Sequence, residues 1–594
     1  MNRSSLRTFL LLTTCLTLVA CDDQNETKSD PQANVQKNGT SVIGYYMPQI
    51  KPIQKTLSGS FLAGEHAQLS NDWSAASDYF EDILADDPQD TSIQNRVMAL
   101  SLGSGNYDRA IKLSKQITQE RKNESLAQLV FALDEFKAEK YKEAEARIIQ
   151  IKQDGLGSAI MPLILAWCEA GQGKTNLETL KNSPSFLYQS VLIADYTGNQ
   201  DAVKKLAKTY DFTKTPTPIS GLENIADVFA KYGETEEARS IYTALRNALP
   251  DNSHGLGEKI KKLSNKEKIV TPQITPQEGL AHALLDTARL LANGYEESAI
   301  LFTHMSRFLD PRRTDTLELL AQFSADHKQY KDAISYLTKI DPKDNKEESI
   351  SLKRQIAMLL EMDNQKDEAI RVLQDLVEKD RNIDAQIQIG DIYRQDENFK
   401  AALSAYNQAA QMMDNKIPQD HWQLLFSRGI ANERLSNWDQ AEKDLTDALS
   451  YEPDQPYVLN YLGYTWADQG RNLDKAVEMI EKASRLKPDD GAIIDSLGWV
   501  YYRMGNFSTA VKKLETAIEL QPYESEINDH LGDAYWQVGR KNEARFQWKR
   551  AISFTKDQII IDKIQAKIEN GLSISDVAKT ARAAEPNEKL VDNK

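Results

Sequence analysis

Cysteine, histidine and basic charge are all scarce in this chain. Only Cys15, Cys21 and Cys168 occur in 594 residues, and none has the spacing of a zinc site with another cysteine or a histidine. No two of the seven histidines lie within one helical turn, so none pairs with another on one helix face to hold a metal. No Gly-x-Ser-x-Gly elbow is present, and Cys168 has no catalytic context. Gly173-Lys174-Thr175 ends as a phosphate-binding loop does, but the glycine that loop needs at its start is replaced by Cys168. The expectation is therefore a protein with no catalytic residues, metal, cofactor or small-molecule substrate. Lys and Arg number 72 against 88 Asp and Glu, a formal charge of −16. That deficit of basic charge excludes nucleic acid as a partner, since phosphate contacts need a basic surface.

Long apolar runs are missing too, apart from one at the start. Arg3 and Arg7 precede an apolar stretch, Phe9 to Leu18, that is too short to span a bilayer stably. A charged start, a short apolar run and small residues before a cut form the secretory signal pattern. Leu18-Val19-Ala20-Cys21 resembles a bacterial lipobox. The resemblance implies cleavage before Cys21, a diacylglycerol on its thiol and acylation of the new amine, hence palmitate-type anchoring to a membrane. Cleavage would remove Cys15 and lipid would occupy Cys21, leaving Cys168 without a disulfide partner. Loss of Arg3 and Arg7 with no acid takes the formal charge to −18. Residues 21–57, with Asp22, Asp23, Pro31, Pro48 and Pro52, read as a flexible tether. As a coil it reaches about 35 Å. Asp22 and Asp23 resemble an inner-membrane retention signal, a rule that varies between bacterial groups and leaves inner against outer membrane open.

The body of the chain is a repeat. In residues 495–522, Leu497-Gly498 is followed by Tyr501, Ala510, Leu514, Ala517 and Pro522. Leu531-Gly532, Tyr535, Ala544, Trp548 and Ala551 recur 34 residues on, and Gly463, Gly429, Gly390 and Gly64 open similar sets. The small residues sit where two antiparallel helices cross, and the large ones fill the gaps at helical spacing. Glycines such as Gly505 turn the chain between helices, and Pro88, Pro250, Pro453, Pro488 and Pro522 end second helices. Each unit exposes an apolar face that only its neighbour covers.

A 34-residue period with this residue set resembles the tetratricopeptide repeat. The resemblance implies an all-α, right-handed solenoid of roughly 12–14 helical hairpins. The expected layout is a signal peptide (1–20), the tether (21–57), an N-terminal array (58–250), a linker or hinge (251–276), a C-terminal array (277–555), a capping helix (556–568) and a disordered tail (569–594). Helix pairing between 155 and 215 stays open at this stage. In such solenoids the first helix of each hairpin lines a concave groove. Counting inner positions from Pro456, Gly491 and Ser525 gives Tyr457, Asn460, Tyr464, Asp468, Asp495, Trp499, Tyr502, Arg503, Asp529, Asp533 and Trp536 as candidate groove residues. Aromatic rings bordered by polar groups suit protein hot spots, with packing between repeats as the competing role for the same rings. The aspartates argue against a clamp for acidic peptide ends and favour basic or polar-aromatic partners.

Residues 380–555, with the lipobox, are similar to the long tetratricopeptide lipoproteins of proteobacteria. That resemblance implies a lipid-anchored periplasmic scaffold or adaptor that brings a processing protease or cell-wall hydrolase to its substrate. The alternative is a structural lipoprotein subunit of an envelope export or assembly machine. Its expected partners are periplasmic or membrane-associated proteins, and the membrane through the lipid.

Overall fold

The computed structural model describes residues 56–572, apart from short breaks at 152–154, 182, 215–216, 249–252, 270–272 and 344. The signal peptide, nearly all of the tether, Cys21 and the tail beyond 572 lie outside the described residues. Among the described residues there are 29 α-helices and no strand. They form thirteen helical hairpins and three single helices, Gly155–Gly171, Ser253–Ser264 and Gln558–Asn570. The all-α repeat architecture is as the 34-residue period requires. The stretch with open pairing resolves into the unpaired helix Gly155–Gly171, an irregular segment, and the hairpin of Leu187–Tyr196 with Gln200–Thr209.

One contact recurs through the hairpins. A Cβ placed on Gly498 would lie 2.6 Å from Leu514 Cγ, and one on Gly532 would lie 2.4 Å from Trp548 Cδ1. Gly64 under Phe80 and Gly390 under Tyr406 repeat the same offset of sixteen residues. The first helix thus contributes bare backbone, and the second lays a large side chain directly on it. Phe80, Tyr406, Leu514 and Trp548 are completely buried as a result. Asparagines or aspartates cap many of the second helices, as Asn506 does by accepting from the Thr509 amide at 3.3 Å.

Past residue 270 the chain turns back on itself. Helix Pro276–Leu291 starts with a complete capping box, Thr275 with Glu278. It packs against helices Gly155–Gly171 and Leu187–Tyr196, while Glu296–Leu309 packs against Thr91–Gly103 and Ser125–Lys137. Those four helices stand early in the chain, and this later hairpin occupies the face they share. It is buried on nearly every side: Leu280, Ala281, Ala283, Leu284, Leu285 and Ala288 have no exposed surface. Gly279 makes the approach feasible, since a Cβ there would come within 2.1 Å of the fully buried Trp167 ring. Polar contacts fix the register. Tyr188 Oη donates to Asp286, Gln277 Nε2 to Tyr141 Oη at 3.1 Å, and Gln329 Nε2 to the Ser70 carbonyl at 2.8 Å.

Two domain expectations change. The segment 251–276 is not an open linker, because helix Ser253–Ser264 packs on Thr235–Ala248 and Lys259 bridges to Asp227 at 2.8 Å. Its charges, read from sequence as a break, are one face of that helix. Nor does the core divide there. One continuous cluster runs from Ala67 to Phe323, and separate smaller clusters follow from Leu317 onward. The first body of repeats therefore includes the hairpin assigned from sequence to the second array. Helix Gln558–Asn570 stands where a capping helix was expected, and buries Ile564 against the last hairpin.

Gly279→Ala tests the seating of the returning hairpin. Overpacking of this kind costs about 1–3 kcal/mol. The variant should melt several degrees lower and be cleaved faster within 270–310 in limited proteolysis. A melting temperature within one degree of wild type would show that the Trp167 contact does not hold the hairpin.

Candidate protein-binding face

The eleven candidate residues come from three first helices, Pro456–Asp468, Gly491–Arg503 and Ser525–Gln537, whose successive members contact one another directly. Their surroundings divide them into two groups.

The C-terminal group is occupied by the chain itself. Lys567, from the capping helix, places its Nζ 2.8 Å from Asp529 Oδ2 and 2.9 Å from Asp533 Oδ2. Trp548 Nε1 also donates to Asp533 at 2.9 Å. Burial works against the Lys567 ammonium, but Asp533 and Asp529 prevail and lift its pKa to about 12. Burial and the neighbouring Asp529 raise Asp533 to about 6, with Lys567 pulling it down. Trp536 lies against Trp548, with Lys541 Nζ 3.6 Å from its ring centre. Asp495 is buried and accepts from His530 Nδ1 at 2.9 Å. Trp499 stacks on His530 at 4.1 Å and on Tyr502 at 4.8 Å. Trp499 thus packs on the next repeat through His530, and Trp536 packs on the second helix of its own hairpin.

The second group lies nearer the surface. Asp468 is exposed, with its carboxylate 3.3 Å from Arg503 Nη1. Tyr457, Asn460 and Tyr464 are half-buried, and Tyr464 Oη donates to Glu526 at 3.2 Å. Asn460 Oδ1, Trp499 Nε1 and Arg503 Nε are covered yet have no hydrogen-bond partner among the described residues. Such groups cost about 1–3 kcal/mol each when left unmade, so this stretch of the face holds unused hydrogen-bonding capacity.

The acidic character expected of the groove is largely cancelled. Lys567 is shared between Asp529 and Asp533 and offsets one of the two charges, His530 faces Asp495, and Arg503 meets Asp468. Neither His530 nor Lys567 was among the candidate residues. His530 was readable, because it follows Asp495 by 35 residues, almost one repeat, and so stands beside it in the neighbouring helix. Lys567 was not, because the capping helix falls outside the repeat register.

Protonation of His530 gives a pH signature. Burial opposes its charge, but Asp495, with Glu526 and Asp529, raises its pKa to about 9. A folded pKa above the ordinary 6.5 means that this contribution is complete below pH 6.5 and is lost as pH rises through 9. Its ceiling is about 3 kcal/mol at 1.36 kcal/mol per unit, reduced because burial also raises Asp495. The melting temperature should therefore fall between pH 6.5 and 9.5, and fall less in His530→Gln. Equal falls in both proteins would refute the assignment.

Residues 312–564, less than half of the chain, match the family model described as Cilia and flagella-associated protein 70 C-terminal domain. The TPR repeat-containing protein PA4667 of Pseudomonas aeruginosa is 43% identical over 101 residues, 17% of each protein. The BBSome complex member BBS4 of Bos taurus is 32% identical over 107 residues, 18% of this chain and 19% of that protein. The chain thus spans less than a fifth of the length of these curated relatives. Among solved structures, a tetratricopeptide repeat protein from Parabacteroides merdae is 17% identical, covering 43% of this chain and 99% of its own, with a TM-score of 0.36. The APC/C hetero-tetramer Cut9–Hcn1 is 15% identical, covering 87% and 96%, with a TM-score of 0.37. With its hairpins and glycine-centred crossings, this chain has the fold of a tetratricopeptide-type helical repeat, and its residues 312–564 are similar to a family of such repeats.

Proposed function

We propose that this chain is a lipid-anchored adaptor of the bacterial cell envelope, facing the periplasm, that holds an extended segment of a partner protein against the inner face of helices Pro456–Asp468 and Gly491–Arg503. The observation that carries the reading is the set of unpaired polar atoms there, Asn460 Oδ1, Trp499 Nε1 and Arg503 Nε, beside the exposed Asp468. A peptide backbone supplies both donors and acceptors, and small rotations of these side chains would present both to it. Tyr457 and Tyr464 add apolar area with a polar tip, the usual composition of an interface anchor.

The rest of the molecule supports the choice of face. The face shared by the early helices is filled by Pro276–Leu309, and the last repeat is closed by Lys567. Helices Pro456–Asp468 and Gly491–Arg503 lie outside both of these closed regions and carry the unpaired atoms named above. The anchor rests on the sequence Leu18-Val19-Ala20-Cys21, with the tether giving the body its reach. Partners in this reading are periplasmic or membrane-associated proteins, such as a processing protease or wall hydrolase with its substrate.

Two measurements test the proposal. A photo-crosslinking amino acid at Asn460 or Asp468 should trap a partner in the native host, and one at Glu478, on a second helix, should not. Equal yields at all three positions would remove the face. Labelled palmitate should enter the wild-type protein and not Cys21→Ser, and absence of label from both would remove the anchor.

A further inference from the structure

A cavity of about 310 Å³ lies where the returning chain meets the first hairpins. That volume is at the lower end of small-ligand sites. One side is the start of helix Trp73–Asp86 with Gly103 and Ser104. The other comprises His304, Leu320 and Phe323 and the Tyr330–Leu337 helix with Lys339 just beyond it. Residues more than 250 apart in sequence meet here, as in the 2.7 Å contact between Asn71 Nδ2 and His327 Nε2.

Three properties of its lining converge. First, two ring nitrogens in the wall, Trp73 Nε1 and His304 Nε2, have no hydrogen-bond partner among the described residues. Trp73 is 9% exposed and His304 2%. The indole nitrogen can only donate. Burial and Arg307 keep His304 neutral, with a pKa of about 3, although the Gly103 backbone pulls the other way. Its Nδ1 lies 3.2 Å from Tyr107 Oη. In the neutral ring, Nε2 donates when Nδ1 accepts from Tyr107 and accepts when Nδ1 carries the proton. Second, Asp72 and Asp332 stand together at the mouth, and among the described residues neither forms an ion pair. Burial and the Asp72 charge both raise the Asp332 pKa, and Lys339 only partly offsets them. Third, Ile300, Leu320 and Phe323 form an apolar wall. Donors inside, carboxylates at the mouth and an apolar flank are the complement of a compact molecule with an acceptor at one end and a cation at the other.

We infer that this cavity binds a small zwitterion with an apolar side chain, an amino acid or a dipeptide. Its carboxylate faces Trp73, His304 and Lys339, and its ammonium lies between Asp72 and Asp332. The ligand touches both sides of the seam and so stabilises the closed arrangement of the first body of repeats. Binding to the folded form alone raises its stability in proportion to the logarithm of ligand concentration.

Calorimetric titration of the full chain with L-leucine and with glycyl-leucine tests the site. Either compound should bind with Kd below about 1 mM. N-acetyl-leucine and leucinamide, each lacking one charge, should bind at least about tenfold more weakly, because each leaves site groups unpaired. Trp73→Phe removes the indole donor and should weaken binding about tenfold, with a lower melting temperature as well, because part of the ring over Gly103 goes with it. Asp332→Asn, at the exposed mouth, gives the same loss by a change that leaves the buried wall intact. No heat from either compound at about 10 mM, or equal binding of the blocked forms, would overturn the assignment.

Discussion

Six of the thirteen described hairpins rest on one contact, bare glycine backbone in a first helix lying beneath a bulky side chain of the second. Leu514 over Gly498 and Trp548 over Gly532 show why the pattern leaves so little freedom. A methyl group on either glycine would occupy space already taken by atoms with no solvent to move into. The crossing fixes the distance between the two helices. That distance sets how much apolar surface a hairpin presents to the next, and stacking follows because a lone hairpin cannot cover that surface. Flat hydrophobic faces alone would allow hairpins to slide. A ring seated on a glycine does not slide.

The same device is used once across long range. Gly279 lies against Trp167, and the hairpin that carries it fills the face lined by helices from much earlier in the chain. Its occupant being the chain itself, the first body of repeats is a packed core. The later repeats keep an inner face of their own. The molecule thus makes two uses of one architecture, self-occupation in the first body and a face with unused hydrogen-bonding capacity in the second.

The hairpins were legible in the sequence because Gly498, Tyr501, Ala510 and Leu514 recur at a fixed period, and local spacing dictates local crossing. The return of Pro276–Leu309 was not legible. Nothing in its periodicity distinguishes a helix buried by a neighbour from one buried by helices from far earlier in the chain. Residues 251–276 misled for a related reason: lysines such as Lys259 and Lys262 read as a break, yet Lys259 pairs with Asp227 and Glu223 from a helix earlier in sequence. On the candidate face, inner positions followed from counting along three neighbouring first helices. Their accessibility did not follow. Trp499 and Trp536 are held by His530, Trp548 and Lys541, partners whose placement depends on stacking between repeats and on the end of the array. Lys567 belongs to no repeat, so no register could have assigned it to Asp529 and Asp533.

The meeting of Ser70 and Asn71 with His327 and Gln329 has a consequence for how the molecule is made. Most repeat arrays assemble from neighbour to neighbour, so each new hairpin finds its binding surface already waiting. Here the early helices emerge with an apolar concavity whose filling is encoded some two hundred residues downstream. Joining segments so distant carries the entropic penalty of a very long loop and slows the final closure. During that interval the open cleft is sticky toward other nascent chains. Production of this protein is therefore sensitive to anything that delays synthesis or delivery of residues 276–340, a vulnerability that the later repeats, built wholly from adjacent contacts, do not share.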